Sequence, residues 1–158
     1  MEKQFPKNVR QIGNVCDTPK IYVEDYVDTY LNQIKEKARE KMAGAFLVGE
    51  KGEIEEQECV FVTGAVKMQL DVGDKGNLQI NDEMMIQARK DCGDYFPGQE
   101  IVGWMLVEVN GGMGLSNTII QCHEKYFAEK NSIFIQKHPV EREEICFVYK
   151  FHELMQMG

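Results

Sequence analysis

The sequence predicts a single α/β (α+β) domain in which a mixed central sheet is flanked by helices. Three observations carry that expectation. Apolar residues recur at helical spacing in three separate stretches, and runs rich in Val, Ile and Phe lie between them. The chain has 158 residues, enough for one substantial core, and shows no internal repeat or low-complexity tract. The expected order is helix, strand, strand, helix, strand, helix, strand, strand.

Residues 1–20 hold two prolines and little periodicity, so they read as an irregular lead-in with a short strand near Gln11–Val15. Lys20-Ile21-Tyr22-Val23 then leads into the clearest helix. Val23, Tyr26, Val27, Tyr30, Leu31, Ile34 and Ala38 form one apolar stripe, which places both tyrosines in the core. Glu24 and Asp25 lie in its first turn and Lys37, Arg39 and Lys41 in its last, as the helix dipole favours.

Ala43–Gly49 reads as a buried strand, with Gly44 marking close approach of another backbone. Glu50-Lys51-Gly52-Glu53 reads as a charged turn, and Cys59–Val66 as a second strand. Gly73–Asn77 is a loop. Asn81 or Asp82 caps a second helix whose stripe is Met84, Met85, Ala88 and Cys92, and Phe96-Pro97-Gly98 ends it. Ile101–Val109 is a third strand, followed by the loop Asn110-Gly111-Gly112-Met113-Gly114. Ser116 caps a third helix with Ile119, Cys122, His123, Tyr126 and Phe127 on one side. Ser132–Gln136 and Ile145–Phe151 complete the strands.

Composition excludes several classes of function. A net charge of −8 opposes non-specific nucleic-acid binding, which needs cations to neutralise phosphates. No apolar run is long enough to cross a bilayer, so no membrane contact is expected from this segment. The N-terminus lacks the apolar core of a signal peptide. Cys16, Cys59, Cys92, Cys122 and Cys146 are odd in number and contain no Cys-x-x-Cys pair. A disulfide framework or zinc knuckle is not expected, and a reducing, cytoplasmic setting is. Cys59 and Cys146 read as small buried hydrophobes.

Three segments together resemble a known family. Ala45-Phe46-Leu47-Val48-Gly49-Glu50 is similar to the Gly-Leu-Leu-Leu-Gly-Glu strand of JAMM/MPN (Mov34/PAD-1-like) domains, which have a cytidine-deaminase-like architecture. Ile101-Val102-Gly103-Trp104 is similar to their Val-Val-Gly-Trp strand. Ile133–Pro139 with Phe147–Phe151 is similar to their closing strands. The likeness runs from about residue 9 to 151, within one domain spanning 1–158.

Active members of that family place Tyr-His-Ser-His-Pro after Gly-Trp and Ser-x-x-Asp further on. Two histidines and the aspartate hold zinc, a water takes the fourth place, and a glutamate is the general acid/base. Carried over, the glutamate falls on Met42, with Glu40 two residues away. The histidines fall on Leu106 and Glu108, the aspartate on Ile119 and the serine on Ser116. The resemblance therefore implies a degenerate member without catalysis, metal or other cofactor. It would act as a scaffold whose partner is a protein, either itself or another JAMM/MPN domain.

Two other readings stay open. A displaced zinc site of an isopeptidase would draw on Glu108, Cys122 and His123, although adjacent helical residues point about 100° apart. A Cys122–His138 nucleophilic pair has no local signature, and His138 and His152 read as a turn residue and a solvated residue. A small-ligand or peptide module would use the former cleft and the glycine loop, which lacks the spacing of either nucleotide motif. Met84, Met85, Met105, Met113, Met155 and Met157 read mainly as core filling or tail.

Overall fold

A computed structural model describes residues 8–13, 18–38, 41–70, 80–108 and 113–157. Among them the elements run β1 (Val9–Ile12), β2 (Lys20–Glu24), α1 (Asp25–Lys37), β3 (Ala43–Ile54), β4 (Gln57–Lys67) and α2 (Asp82–Tyr95). Then come β5 (Glu100–Val107), α3 (Asn117–Tyr126), β6 (Ile133–Lys137), β7 (Glu144–Lys150) and β8 (Glu153–Gln156). The strands form one mixed sheet in the order β1-β2-β4-β3-β5-β6-β7-β8. The pairs β2/β4 and β5/β6 are parallel and the other neighbours antiparallel. Each parallel pair is joined by a connection containing a helix, as the long crossover between parallel strands requires.

Alternation along the strands divides the core between the two faces. Val27, Leu31, Ile34 and Ala38 at α1 bury against Leu47, Val62, Met105 and Ile135. On the opposite face, Met85 and Ala88 of α2 and Ile119 of α3 bury against Phe46, Trp104, Leu106 and Phe134. The register of β3 on β5 passes from Leu47↔Gly103 to Val48↔Ile101, which leaves Val102 as a bulged residue. That extra residue sends Val102 to the α1 side and Ile101 to the other.

The sheet curls around α1. β1 begins the strand order and β7 stands next to its far end. Arg10 of β1 nevertheless donates twice to Glu144 of β7, Nη1 to Oε2 at 2.9 Å and Nη2 to Oε1 at 3.1 Å. Arg10 Nη2 also reaches Asp28 of α1 at 2.9 Å. Lys137 of β6 donates to Glu144 at 2.7 Å and to Asn32 at 3.1 Å.

Several sequence expectations need correction. Lys20–Val23 is strand, so α1 starts only at Asp25 and its buried stripe is Val27, Leu31 and Ile34. Tyr26 and Tyr30 fall beside that stripe and are 58% and 36% exposed, so neither is core. Glu50–Glu53 continues β3. The hairpin turns instead at Glu55 and Glu56, both with left-handed backbone (φ 51° and 66°). A long hairpin can solvate charged residues on its outer face, so charge there does not signal a turn. β8 was not expected, and its two-residue turn is Phe151-His152 rather than a glycine-bearing pair. The caps of α2 and α3 are as read, with Asn81 accepting from Met84 N and Ser116 from Ile119 N. Gly44 does meet another backbone closely, since a Cβ there would lie 2.7 Å from the Met105 carbonyl oxygen. Gly73–Asn77, Asn110–Gly112, Cys16, Arg39 and Glu40 lie outside the described residues.

Candidate functional site

The carried-over positions converge where β5 ends. β5 and β6 run parallel there, and open α/β sheets place ligands beyond the carboxyl ends of such strands. Gly44 pairs with Leu106 and Ala43 with Val107, and at that end Met42 precedes β3 while Glu108 follows β5. Leu106 is 0% exposed and Ile119 is 1% exposed. Both belong to one apolar cluster, against which Met42 and Leu115 pack half-buried.

Ser116 builds the other wall. Its Oγ accepts from Ile119 N at 3.2 Å, satisfying a free amide at the start of α3 and fixing Ile119 in the first turn. Leu106 and Ile119 then put hydrocarbon between the end of β5 and the first turn of α3. Glu108 follows β5, and burial pushes its carboxyl above the ordinary range. Among the described residues no group of three or more His, Cys, Asp or Glu side chains is close enough to share a metal ion.

A polar residue that sequence reasoning missed secures this end of the sheet. Gln136 of β6 is buried, yet its Oε1 accepts from Gly114 N at 2.7 Å and its Nε2 donates to Gly114 O at 3.1 Å. The glycine loop is thus tied to β6 at its last residue before the α3 cap. The available signal was a glutamine closing the apolar run Ile133-Phe134-Ile135.

The alternative ligands are dispersed. Burial pushes the Cys122 thiol up to about 12, with Lys125 acting in the opposite direction. It is therefore a protonated, weakly nucleophilic group at neutral pH. His123 is fully buried, and its Nδ1 accepts from Trp104 Nε1 at 3.0 Å. Burial, helped by the Lys51 charge, lowers His123 to about 4. An accepting Nδ1 assigns the proton of the neutral ring to Nε2. His138 Nδ1 accepts from the amides of Val140 and Glu141 at 3.1 and 2.9 Å, so this ring organises its own turn. His152 is exposed at the β7–β8 turn. Among the methionines, Met85, Met105 and Met157 are buried and Met155 is 36% exposed.

The solution structure of protein DSY2949 from Desulfitobacterium hafniense is similar to this chain. The likeness covers 87% of this chain and 90% of that one, with a TM-score of 0.64 and 10% sequence identity. At that identity it concerns the fold alone. No family model matches the sequence, and no curated protein matches it. No helix among the described residues is long and apolar enough to cross a membrane.

Proposed function

We propose that this chain is a degenerate JAMM/MPN-like domain that acts as a protein-interaction or scaffold module and carries out no hydrolysis. The joint burial of Leu106 and Ile119 in one apolar cluster carries this reading. Those two positions correspond to a histidine and the aspartate of the family's zinc site. Neither side chain has a donor atom, and Glu108 alone supplies too few ligands to hold zinc. The parallel β5/β6 pair joined through α3 is consistent with the family's order of elements.

Function then passes to surfaces. Tyr26 and Tyr30 stand one helical turn apart on the outside of α1, while Ile86 and Tyr95 are 65% and 75% exposed on α2. Exposed aromatic residues are frequent anchors of protein interfaces. The inferred partner is a protein, either a second copy or another domain of the same fold.

Metal content and solution mass, measured together on the purified chain after exposure to zinc, test the proposal. It expects no one-to-one zinc and a partner interface of at least about 1,000 Å². Zinc bound one-to-one and lost in Glu108→Ala would replace it with an isopeptidase whose metal site has moved.

A further inference from the structure

α1 carries two stripes. Val27, Leu31 and Ile34 are buried, and beside them run Tyr26, Tyr30, Gln33 and Lys37, all exposed. Tyr26 and Tyr30 keep 58% and 36% of their surface. The steps along this second stripe are four, three and four residues, the spacing of a coiled-coil seam. The other exposed apolar side chains do not group in this way. Ile86 and Tyr95 point to opposite sides of α2 at about 100° per residue, and Val140 and Phe151 stand singly between strands.

The seam complements itself. Laid antiparallel on a second copy, about a two-fold axis between Leu31 and Asn32, it sets Tyr26 opposite Lys37 and Tyr30 opposite Gln33. Each of these pairs then occurs twice.

Charge selects the direction. The first turn of α1 holds Asp25 and Asp28, and the last turn holds Lys35 and Lys37. Asp28 is engaged by Arg10, and Lys35 by the Glu141 carbonyl. Asp25 and Lys37 stand exposed at opposite ends, and Glu24 lies within hydrogen-bond reach of the Tyr26 hydroxyl. Antiparallel packing brings Lys37 of each copy onto the Tyr26 ring of the other and toward its Glu24 and Asp25. A cation over an aromatic ring is attracted, and the two helix dipoles oppose each other. Parallel packing would set like charges together at both ends.

We propose that α1 is a homodimerisation seam, on which a second copy of this chain packs antiparallel along Tyr26, Tyr30, Gln33 and Lys37. This pairing rests on the scaffold reading and gives it one partner on one face. Both tyrosines of each copy are the anchors at its centre. A seam this short makes a concentration-dependent dimer, at the small end of specific interfaces.

Sedimentation equilibrium of the full chain across the micromolar range should fit a monomer–dimer equilibrium. Tyr26→Ser, Tyr30→Ser and Lys37→Glu should each weaken it about tenfold or more, because every change counts twice at a two-fold interface. Lys37→Glu combined with Asp25→Lys should recover the dimer by exchanging the charges. Circular dichroism melts confirm that each variant is folded. A chain that stays monomeric, folded variants that dimerise like the parent, or a charge exchange that fails to restore association would overturn the proposal. Zinc content measured on the same samples separates the two readings. Zinc-free protein whose dimers ignore these variants removes the α1 seam and leaves the scaffold reading standing, while zinc bound one-to-one beside seam-dependent dimers does the reverse.

Discussion

Gln136 and Gly114 are joined amide to peptide, each donating one hydrogen bond to the other, at 2.7 and 3.1 Å. The pair makes the glycine loop part of the sheet and so sets where α3 begins. Gln136→Leu preserves most of the volume and removes both bonds. It should lower stability by about 2 kcal/mol, because the peptide groups of Gly114 lose their buried partner. Denaturant melts check the loss, and faster hydrogen exchange at the Gly114 amide localises it.

The His123 ring implies a pH dependence of stability. Burial, then Lys51, lowers it from 6.5 to about 4. The unfolded chain therefore binds the proton more readily than the native one. Stability is full above pH 6.5 and is lost as pH falls through about 4, with an amplitude on the order of 3 kcal/mol. Melts between pH 7 and pH 4 should show this slope, and His123→Gln should flatten it.

Glu144 acts in a more acidic window. Burial alone would raise its carboxyl, but the Arg10 hydrogen bonds and the Lys137 charge outweigh burial and hold it below its ordinary value of 4.5. Its contribution is complete above pH 4.5 and is lost as pH falls through the lowered value. Glu144→Gln should cost about 2 kcal/mol at neutral pH, since Arg10 and Lys137 then share only the Asp28 carboxylate in a partly buried setting. The difference from the parent should shrink in acid, which paired melts at pH 7 and pH 3 would reveal.

Gly103 of β5 is paired with Ile133 of β6. A Cβ there would fall 2.1 Å from the Ile133 carbonyl oxygen and 2.6 Å from Ile133 Cγ1. Gly103→Ala should therefore cost about 3 kcal/mol or more, because backbone must move to admit one methyl group. The soluble yield and denaturation midpoint of this variant measure the cost.

Leu106→His would set an imidazole into the apolar cluster that Leu106 shares with Ile119. It should destabilise the metal-free chain by about 3 kcal/mol through burial of a polar ring among hydrocarbon. If the melting temperature of this variant equals that of the parent, Leu106 does not sit in a sealed core.

Local signals in the sequence were readable where local physics decides. The caps Asn81 and Ser116 and the stop at Phe96-Pro97 each act within one turn, and all three appear where expected. β2 and β8 escaped notice because short strands near the sheet edges are defined by partners far along the chain. The turns at Glu55-Glu56 and Phe151-His152 lack the glycine or asparagine that favours left-handed backbone, so nothing local announced them. At the candidate site, Leu106 and Ile119 were legible as apolar residues of a strand and a helix, and both are buried. The Arg10–Glu144 pair was not, because its members are 134 residues apart in sequence and meet only once the sheet has curled.

That curl gives the first strand a protective task. β1 covers the outer side of β2, whose other side is paired in parallel with β4. Trimming the chain past Ile12 would leave Lys20-Ile21-Tyr22-Val23 as an open, largely apolar border, and it would strip the guanidinium from Glu144 at the same stroke. Unpaired borders of this kind recruit other chains. A shortened form should therefore self-associate or precipitate, even with the hydrocarbon interior intact.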